Sequence, residues 1–120
     1  MSTILIVDDS PVVQRLLSVT LQRVCYQVLA VSNGYEALER LEDRQIDLAI
    51  IDLAMPEMDG LTLLRAIRTD ANHPDLPVIM LTASGQDQDR LDARAAGAND
   101  FLTKPASSLT LIGTVGRLLS

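Results

Sequence analysis

Residues 48–60 read LAIIDLAMPEMDG, an apolar run that ends in a carboxylate and continues into a loop with proline and glycine. Residues 48–51 are short, continuous and apolar, which favours a strand buried on both faces. Asp52 closes the run, and the loop that reaches Gly60 cannot extend the strand. In open α/β sheets, ligands bind outside the carboxyl ends of the strands. This stretch therefore predicts the fold class and a functional edge of the sheet together.

Other apolar runs of the chain end in polar side chains in the same way. The runs and the residues that follow them are 4–7 with Asp8 and Asp9, 48–51 with Asp52, 78–81 with Thr82, and 98–103 with Lys104. If the strands are parallel, their carboxyl ends meet at one edge of the sheet. Three carboxylates, a hydroxyl and an ammonium would then share one site, which suits a divalent cation and a phosphoryl group.

The apolar runs alternate with longer stretches of helical period, which is typical of repeated βαβ units and a parallel sheet. Five such units fit in 120 residues, and this length favours one domain over residues 1–120. The helices are predicted to begin near Pro11, Tyr35, Gly60, Gln86 and Ser107. The second strand is predicted at 27–31 and the third at 47–51. The fourth strand is predicted to begin at Pro77.

The apolar residues of the first helix predict one buried face. Its members are Val13, Leu16, Leu17, Thr20, Leu21 and Val24, and the helix is capped by Ser10 with Pro11 in its first turn. Cys25 follows directly and is predicted to be a small buried hydrophobic residue. As the only cysteine of the chain, it excludes an intrachain disulfide.

One later helix is predicted to be weak, and the last helix contains two unfavourable glycines. The helix at 86–96 has little to bury beyond Leu91 and three alanines, so it is expected to be loosely held. The helix at 107–119 is apolar, but Gly113 and Gly116 each cost it about 1 kcal/mol relative to alanine.

Composition limits the classes of partner. The net charge of −6 argues against direct binding of nucleic acid, because a phosphate backbone requires a basic surface. Protein or metal partners are favoured instead. We find neither a signal peptide nor a membrane-spanning stretch, so we expect a cytoplasmic location and no membrane partner.

The polar residues at the strand ends suit phosphoryl transfer. The carboxylate of Asp52 can act as a nucleophile and form an acyl phosphate. Its charge and those of Asp8 and Asp9 would repel an incoming phosphate, so we expect a hard cation such as Mg²⁺ among them. Lys104 and Thr82 can contact the phosphate oxygens through an ammonium and a hydroxyl.

Taken singly, each of these residues also fits an ordinary structural role. The aspartates at 8 and 9 could cap the first helix, and Asp52 could be a turn or capping residue. Thr82 could be a plain strand residue, and Lys104 a solvated lysine of a loop. The coincidence of all of them at strand ends favours a site.

The chain resembles the receiver domain of two-component response regulators over nearly its whole length. The resembling segments are, in order, 6–10 (IVDDS), 33–38 (NGYEAL), 47–52 (DLAIID), 55–60 (MPEMDG), 77–83 (PVIMLTA) and 97–105 (GANDFLTKP). Each segment alone is weak, but six in order at the family's spacing are specific. The resemblance implies a three-layer, flavodoxin-like, doubly wound (βα)5 fold with parallel strand order 2-1-3-4-5. It also implies a cis bond between Lys104 and Pro105.

The same resemblance implies roles for the acidic residues. Asp52 would accept a phosphoryl group from the phosphohistidine of a histidine kinase or a histidine phosphotransfer protein. Asp9, Asp52 and the backbone carbonyl of Ala54 would ligate Mg²⁺, with Asp8 assisting through water.

A conformational switch is implied as well. Lys104 and Thr82 would hold the phosphate, with Thr82 moving toward it and Phe101 rotating inward, although plain core packing would also explain Phe101. The surface of the fourth helix, fifth strand and fifth helix would then control a downstream protein or an attached output domain. The chain would be a signalling switch rather than an enzyme, would assist its own phosphorylation and dephosphorylation, and could form a homodimer on phosphorylation.

Several alternatives remain open at this point. A phosphohydrolase that forms an aspartyl phosphate would need a second aspartate at the position of Ala54, and a degenerate receiver would act by binding alone. A dinucleotide-binding module is disfavoured because no G-x-G-x-x-G follows the first strand. His73 is predicted to be a solvated loop histidine rather than a phosphate carrier.

The sequence also leaves open which output domain or partner the receiver would control. Residues 69–75 and 77–105 most resemble receivers attached to nucleotide cyclases or hybrid kinases, and the chain could equally act alone. The last helix lacks the charged pattern of members with winged-helix DNA-binding output, which disfavours that subgroup.

Overall fold

A computed structural model describes all 120 residues as five strands and five helices that alternate along the chain. The strands are β1 Thr3–Val7, β2 Gln27–Val31, β3 Leu48–Asp52, β4 Val78–Thr82 and β5 Asp100–Thr103. The helices are α1 Pro11–Gln22, α2 Gly34–Asp43, α3 Gly60–Thr69, α4 Asp87–Ala95 and α5 Ser108–Leu119. Every predicted element is present.

The sheet is entirely parallel, with the order β2-β1-β3-β4-β5. This is the predicted flavodoxin-like, doubly wound arrangement. The register aligns the strand ends, because Val7 pairs with Ile51 and Thr82 pairs with Thr103. The residues that follow these strands are therefore delivered to one edge, as predicted.

The two faces of the sheet bury separate apolar cores, since successive strand residues point to opposite sides. One core lies beneath α2, α3 and α4 and includes Val7, Ile51 and Met80. The other lies beneath α1 and α5 and includes Ile6 and Ile50. Every residue of β3 and β4 is buried, which explains their continuous apolar runs.

The end of β3 differs by one residue from the prediction. The strand covers Leu48–Asp52 rather than 47–51, because Asp52 still pairs with Leu81. Asp47 lies outside it and accepts the backbone N–H of Thr3 through its carboxylate at 2.8 Å. Asp52 is therefore the last residue of the strand, held by the sheet on its backbone.

The prediction of which residues α1 buries is partly wrong. Leu17 and Leu21 are buried, but Leu16 is 61% exposed and Val24 is 40% exposed. Leu16 lies about 100° around the helix from Leu17 and so points away from the sheet. The helix ends at Gln22, which leaves Val24 outside it.

The prediction for Cys25 is also wrong. The residue is exposed and lies in the turn between α1 and β2, with a φ of 72°. Its backbone N–H donates to the carbonyl of Gln22, so the chain has already left the helix there.

α4 is the least secured helix, as predicted. Only Ala93 is buried, and Leu91 is 60% exposed, so Leu91 does not belong to a buried face. Side chains of Ser10, Asn33, Asp59 and Ser107 cap the other four helices, whereas Gln86 makes no such bond at the start of α4.

No helix has the length and apolar character that crossing a membrane requires.

Candidate metal and phosphoryl site

Three carboxylates meet at the carboxyl ends of β1 and β3. Asp8, Asp9 and Asp52 each offer an oxygen that lies within 4.8 Å of the others. Asp8 and Asp52 are only 1% and 4% exposed, whereas Asp9 is exposed at the mouth of the cluster. Two buried carboxylates and one accessible carboxylate therefore share one site.

Asp8 is held by the start of α1. Its Oδ1 accepts the backbone N–H of Ser10 at 2.9 Å, and its carbonyl accepts Nε2 of Gln14 at 2.6 Å. Gln14 also reaches the carbonyl of Val31 at 3.0 Å, which ties together the ends of β1 and β2. Gln14 was not predicted as part of the site, because its position on α1 has no distinguishing pattern. The side chain of Asp8 is not the cap of α1, since that role belongs to Ser10.

Lys104 joins the two buried carboxylates. Its Nζ lies 2.9 Å from Oδ2 of Asp8 and 3.3 Å from Oδ1 of Asp52. Its backbone N–H donates to the carbonyl of Thr82 at 2.6 Å, which holds the end of β5 against β4. The side chain is only 22% exposed, so Lys104 is not a solvated loop lysine. The peptide bond between Lys104 and Pro105 is cis.

The carboxylates of the site outnumber its one ammonium. Burial raises the pKa of Asp52 above its usual value, the charge of Asp8 adds to this rise, and Lys104 only partly opposes it. Burial acts to lower the pKa of Lys104, but the nearby Asp8 and Asp52 outweigh it and raise that pKa. One ammonium therefore does not compensate three carboxylates.

Thr82 lies at the end of β4 and is 4% exposed. Its Oγ1 accepts the backbone N–H of Ser84 at 3.1 Å, so the hydroxyl is bonded to the first turn of the following loop. The hydroxyl hydrogen remains able to donate to an acceptor at this edge.

The loop after Asp52 is packed tightly against the strand end. A Cβ at Gly60 would lie 2.4 Å from the carbonyl oxygen of Asp52 and 2.8 Å from Cα of Leu53, which requires glycine. The backbone N–H of Ala54 donates to Oδ1 of Asp52 at 3.3 Å, which fixes that carboxylate. Gly60 thus lets α3 begin directly beside the site.

Phe101 lies close to this edge, on β5. The side chain is 7% exposed, and the guanidinium carbon of Arg90 lies 5.4 Å from the centroid of its ring. Phe101 is therefore buried beneath α4 rather than turned outward.

One pocket lies away from this site. It has a volume of about 970 Å³ and is lined by His73, Asp47 and Leu76 among others, at the amino-terminal edge of the sheet. His73 lies in the loop between α3 and β4, as predicted, but it is half-buried rather than fully solvated, with its Nε2 3.0 Å from the carbonyl oxygen of Leu41. The packing of the α3–β4 loop against the end of α2 accounts for this burial.

A sequence model of the family described as the response regulator receiver domain matches residues 4–115. The chain belongs to this family. The receiver has a TM-score of 0.94 and 34% identity to the chemotaxis protein CheY4 of Vibrio cholerae, over 99% of both chains.

Relatives extend beyond this one domain. The receiver is 38% identical to the DNA-binding dual master transcriptional regulator RpaA of Synechocystis sp., over 99% of this chain and 49% of RpaA. The chain spans about half the length of the curated relatives it matches. Several of them are transcriptional regulators, so the expectation drawn from the last helix gains no support from these likenesses.

Another similar solved structure is relevant to the metal site. The receiver has a TM-score of 0.90 and 33% identity to the receiver domain of the sensor histidine kinase PA1611 of Pseudomonas aeruginosa, over 98% of this chain and 97% of that chain. The structure of that domain has a magnesium ion coordinated in the active site cleft.

The residues of this receiver also fit a hard divalent cation. Oδ2 of Asp8 is fully buried, and its one close partner is the ammonium of Lys104 at 2.9 Å. Carboxylate oxygens are the ligands that Mg²⁺ prefers, and Asp9 and Asp52 offer further ones. The acidic cluster is therefore a candidate Mg²⁺ site.

Proposed function

We propose that this receiver, one domain over residues 1–120, is a phosphorylation-controlled switch whose phosphoryl acceptor is Asp52. The observation that supports this proposal best is the bridging of two buried carboxylates by Lys104, at 2.9 and 3.3 Å, beside the accessible Asp9. This arrangement costs the fold electrostatic energy, which favours a functional role for it. The donor is the phosphohistidine of a histidine kinase or a histidine phosphotransfer protein.

In the proposed reaction, an Oδ atom of Asp52 attacks the phosphorus of the phosphohistidine. The new P–O bond forms as the P–N bond breaks, and the imidazole leaves with the bonding electrons and takes up a proton. Lys104 already lies between the buried carboxylates and places its charge on one phosphate oxygen, and Thr82 donates its hydroxyl to another. The backbone N–H of Ala54, bonded to Oδ1, orients the nucleophile.

Mg²⁺, held by Asp9, Asp52 and the carbonyl of Ala54, with Asp8 acting through water, would neutralise charge that otherwise repels the phosphate. Burial keeps bulk water away from Asp52, and the exposed Asp9 marks the open side of the site.

The proposed output surface comprises α4, β5 and α5. We propose that Thr82 and Phe101 transmit the change to it, and that it controls a downstream protein or an attached output domain. A cytoplasmic location and a homodimer that forms on phosphorylation belong to the same proposal. The receiver is a switch that assists its own phosphorylation and dephosphorylation, not a turnover enzyme. Ala54 provides no acid where a phosphohydrolase would need one.

The test is the intact mass after incubation with Mg²⁺ and acetyl phosphate. We expect one phosphoryl adduct, absent in Asp52→Asn and in the presence of a chelator, and retained in the matched control Asp75→Asn at the opposite edge. An unmodified mass, together with failure to bind fluoroberyllate, would indicate a degenerate receiver that acts by binding alone. Turnover of acetyl phosphate without an adduct would indicate the phosphohydrolase instead.

A further inference from the structure

The side chain of Gln14 joins the ends of two strands beside the acidic cluster. Its Nε2 donates to the carbonyl of Asp8 at 2.6 Å and to the carbonyl of Val31 at 3.0 Å, and it lies 3.2 Å from Oγ of Ser32. Carbonyl oxygens can only accept hydrogen bonds, so the amide nitrogen and not the amide oxygen faces them. An amide nitrogen has two hydrogens, one for each carbonyl. Gln14 is therefore a double donor that links the residues after β1 and β2.

Asp8 is fixed both at its backbone and at its side chain. Its backbone N–H donates to the carbonyl of Val31 at 3.2 Å, and its own carbonyl accepts Nε2 of Gln14. Its Oδ1 accepts the backbone N–H of Ser10, and its Oδ2 lies beside the ammonium of Lys104. The position of Asp8 therefore does not depend on any single one of these contacts.

Asp9 is held much less firmly. Its carboxylate is exposed, and Lys104 pairs with Asp8 and Asp52 rather than with it. The carbonyl of Asp8 and the N–H of Asp9 belong to one planar peptide unit. A donor that fixes this carbonyl also fixes the plane from which Asp9 extends. The hydrogen bond from Gln14 therefore controls the direction of Asp9 through the backbone.

We propose that Gln14 is a positioning residue for the candidate Mg²⁺ site, because it holds the peptide between Asp8 and Asp9 and so keeps the carboxylate of Asp9 directed toward that of Asp52. This proposal rests on the proposed function, in which Asp9 and Asp52 ligate the cation. Mg²⁺ requires a nearly ideal octahedron of oxygen ligands. A ligand that is not already in place must be ordered when the cation binds, and this ordering lowers the affinity.

The test compares Gln14→Met with Gln22→Met. Methionine keeps the length of the side chain but has no N–H to donate, and Gln22 is an exposed glutamine at the last position of the same helix. In a Mg²⁺ titration followed by the amide chemical shift of Ala54, we expect Gln14→Met to bind the cation about tenfold more weakly than the unsubstituted chain, as for other groups that orient metal ligands. Gln22→Met should retain the original affinity. An unchanged affinity in Gln14→Met, or an equal loss in Gln22→Met, would overturn the proposal.

A second variant, Gln14→Glu, separates position from charge. Glutamate has the shape of glutamine, but its carboxylate cannot donate to the two carbonyls. An additional negative charge beside the cluster would by itself strengthen the binding of Mg²⁺, whereas loss of the donor should weaken it. We expect Gln14→Glu to bind Mg²⁺ more weakly than the unsubstituted chain, with circular dichroism at the titration temperature to check that the variant is folded. Tighter binding would overturn the proposal, because charge rather than the direction of Asp9 would then control the affinity.

Backbone relaxation measured by NMR without Mg²⁺ separates this proposal from the proposed function. In Gln14→Met, the order parameter of the Asp9 amide should fall from about 0.85, the value of a rigid backbone, toward about 0.6, and it should not fall in Gln22→Met. An unchanged order parameter would overturn the positioning role whatever the titration shows. An unsubstituted chain whose amide shifts do not respond to Mg²⁺ would overturn the metal site of the proposed function, while a lower order parameter would still support the hold of Gln14 on the peptide before Asp9.

Discussion

At Asp52, burial and charge act against the stability of the fold. Burial is the largest cause of its raised pKa, Asp8 is the next, and Lys104 offsets them only in part. Because the folded protein holds this proton more tightly than the unfolded chain, stability falls as the pH rises from the usual aspartate pKa through the raised one. The ionised carboxylate is therefore destabilising at neutral pH.

Replacement of this charge should stabilise the receiver. We expect Asp52→Asn to raise the free energy of unfolding at pH 7 by about 1 kcal/mol, because Lys104 keeps Asp8 as a partner. The gain should disappear at a pH below the pKa of Asp52. Urea unfolding at pH 7 and at the lower pH measures this gain, with Asp75→Asn as the control. A stability of Asp52→Asn at pH 7 that is equal to or lower than that of the unsubstituted chain would contradict the electrostatic account.

Lys104 contributes to stability in the opposite direction to Asp52. Its raised pKa means that it stabilises the fold below its usual pKa, and this contribution is lost as the pH rises through the folded value. We expect Lys104→Met to lower the free energy of unfolding at pH 7 by about 1–3 kcal/mol, because two buried carboxylates lose their cation. Chemical denaturation checks this. Much of the loss should be recovered in Lys104→Met combined with Asp8→Asn, and a double variant no better than the single one would disprove the pairing.

At the scale of the element, two glycines illustrate opposite local requirements. Gly116 lies inside α5, where a Cβ would meet nothing within 4 Å. Gly60 begins α3, where a Cβ would collide with the backbone of Asp52 and Leu53. Glycine therefore weakens one helix without a packing reason and is required at the start of the other.

Alanine substitutions should separate these cases. Gly116→Ala should raise the free energy of unfolding by about 0.5–1 kcal/mol, since the helix gains a residue of better propensity without a clash. Gly60→Ala should lower it by about 1–3 kcal/mol, through strain beside Asp52. Thermal unfolding of both variants measures the contrast, and a destabilised Gly116→Ala would show that α5 needs this glycine for another reason.

At the scale of the whole molecule, the net charge of −6 and the acidic cluster favour a cation over an anion as the first ligand. A ligand that binds only the folded state stabilises it by mass action. We expect Mg²⁺ at about 100 times its Kd to add about 2.7 kcal/mol to the free energy of unfolding.

The check is thermal unfolding with and without Mg²⁺ at matched ionic strength. The rise in Tm should be lost in Asp9→Asn, which removes an accessible carboxylate, and kept in Asp75→Asn at the opposite edge. An equal rise in both variants would point to general screening of charge rather than to the acidic cluster.

The sequence alone was enough to predict the parallel sheet, its helices and the meeting of Asp8, Asp9, Asp52, Thr82 and Lys104 at one edge. Apolar runs and turn residues are local signals, and parallel strands bring their carboxyl ends together whatever the details of packing. The roles of these residues in phosphoryl transfer remain predictions.

Only the tertiary structure decided which apolar residues are buried and which polar groups are partnered. The exposure of Leu16 and Leu91, the position of Cys25 beyond α1, and the contacts of Gln14 and His73 depend on which neighbours lie opposite. The placement of Arg90 over Phe101 joins two elements in the same way. Periodicity determines the direction of a side chain relative to its own helix or strand, whereas burial and pairing depend on the surface that the rest of the chain brings against it.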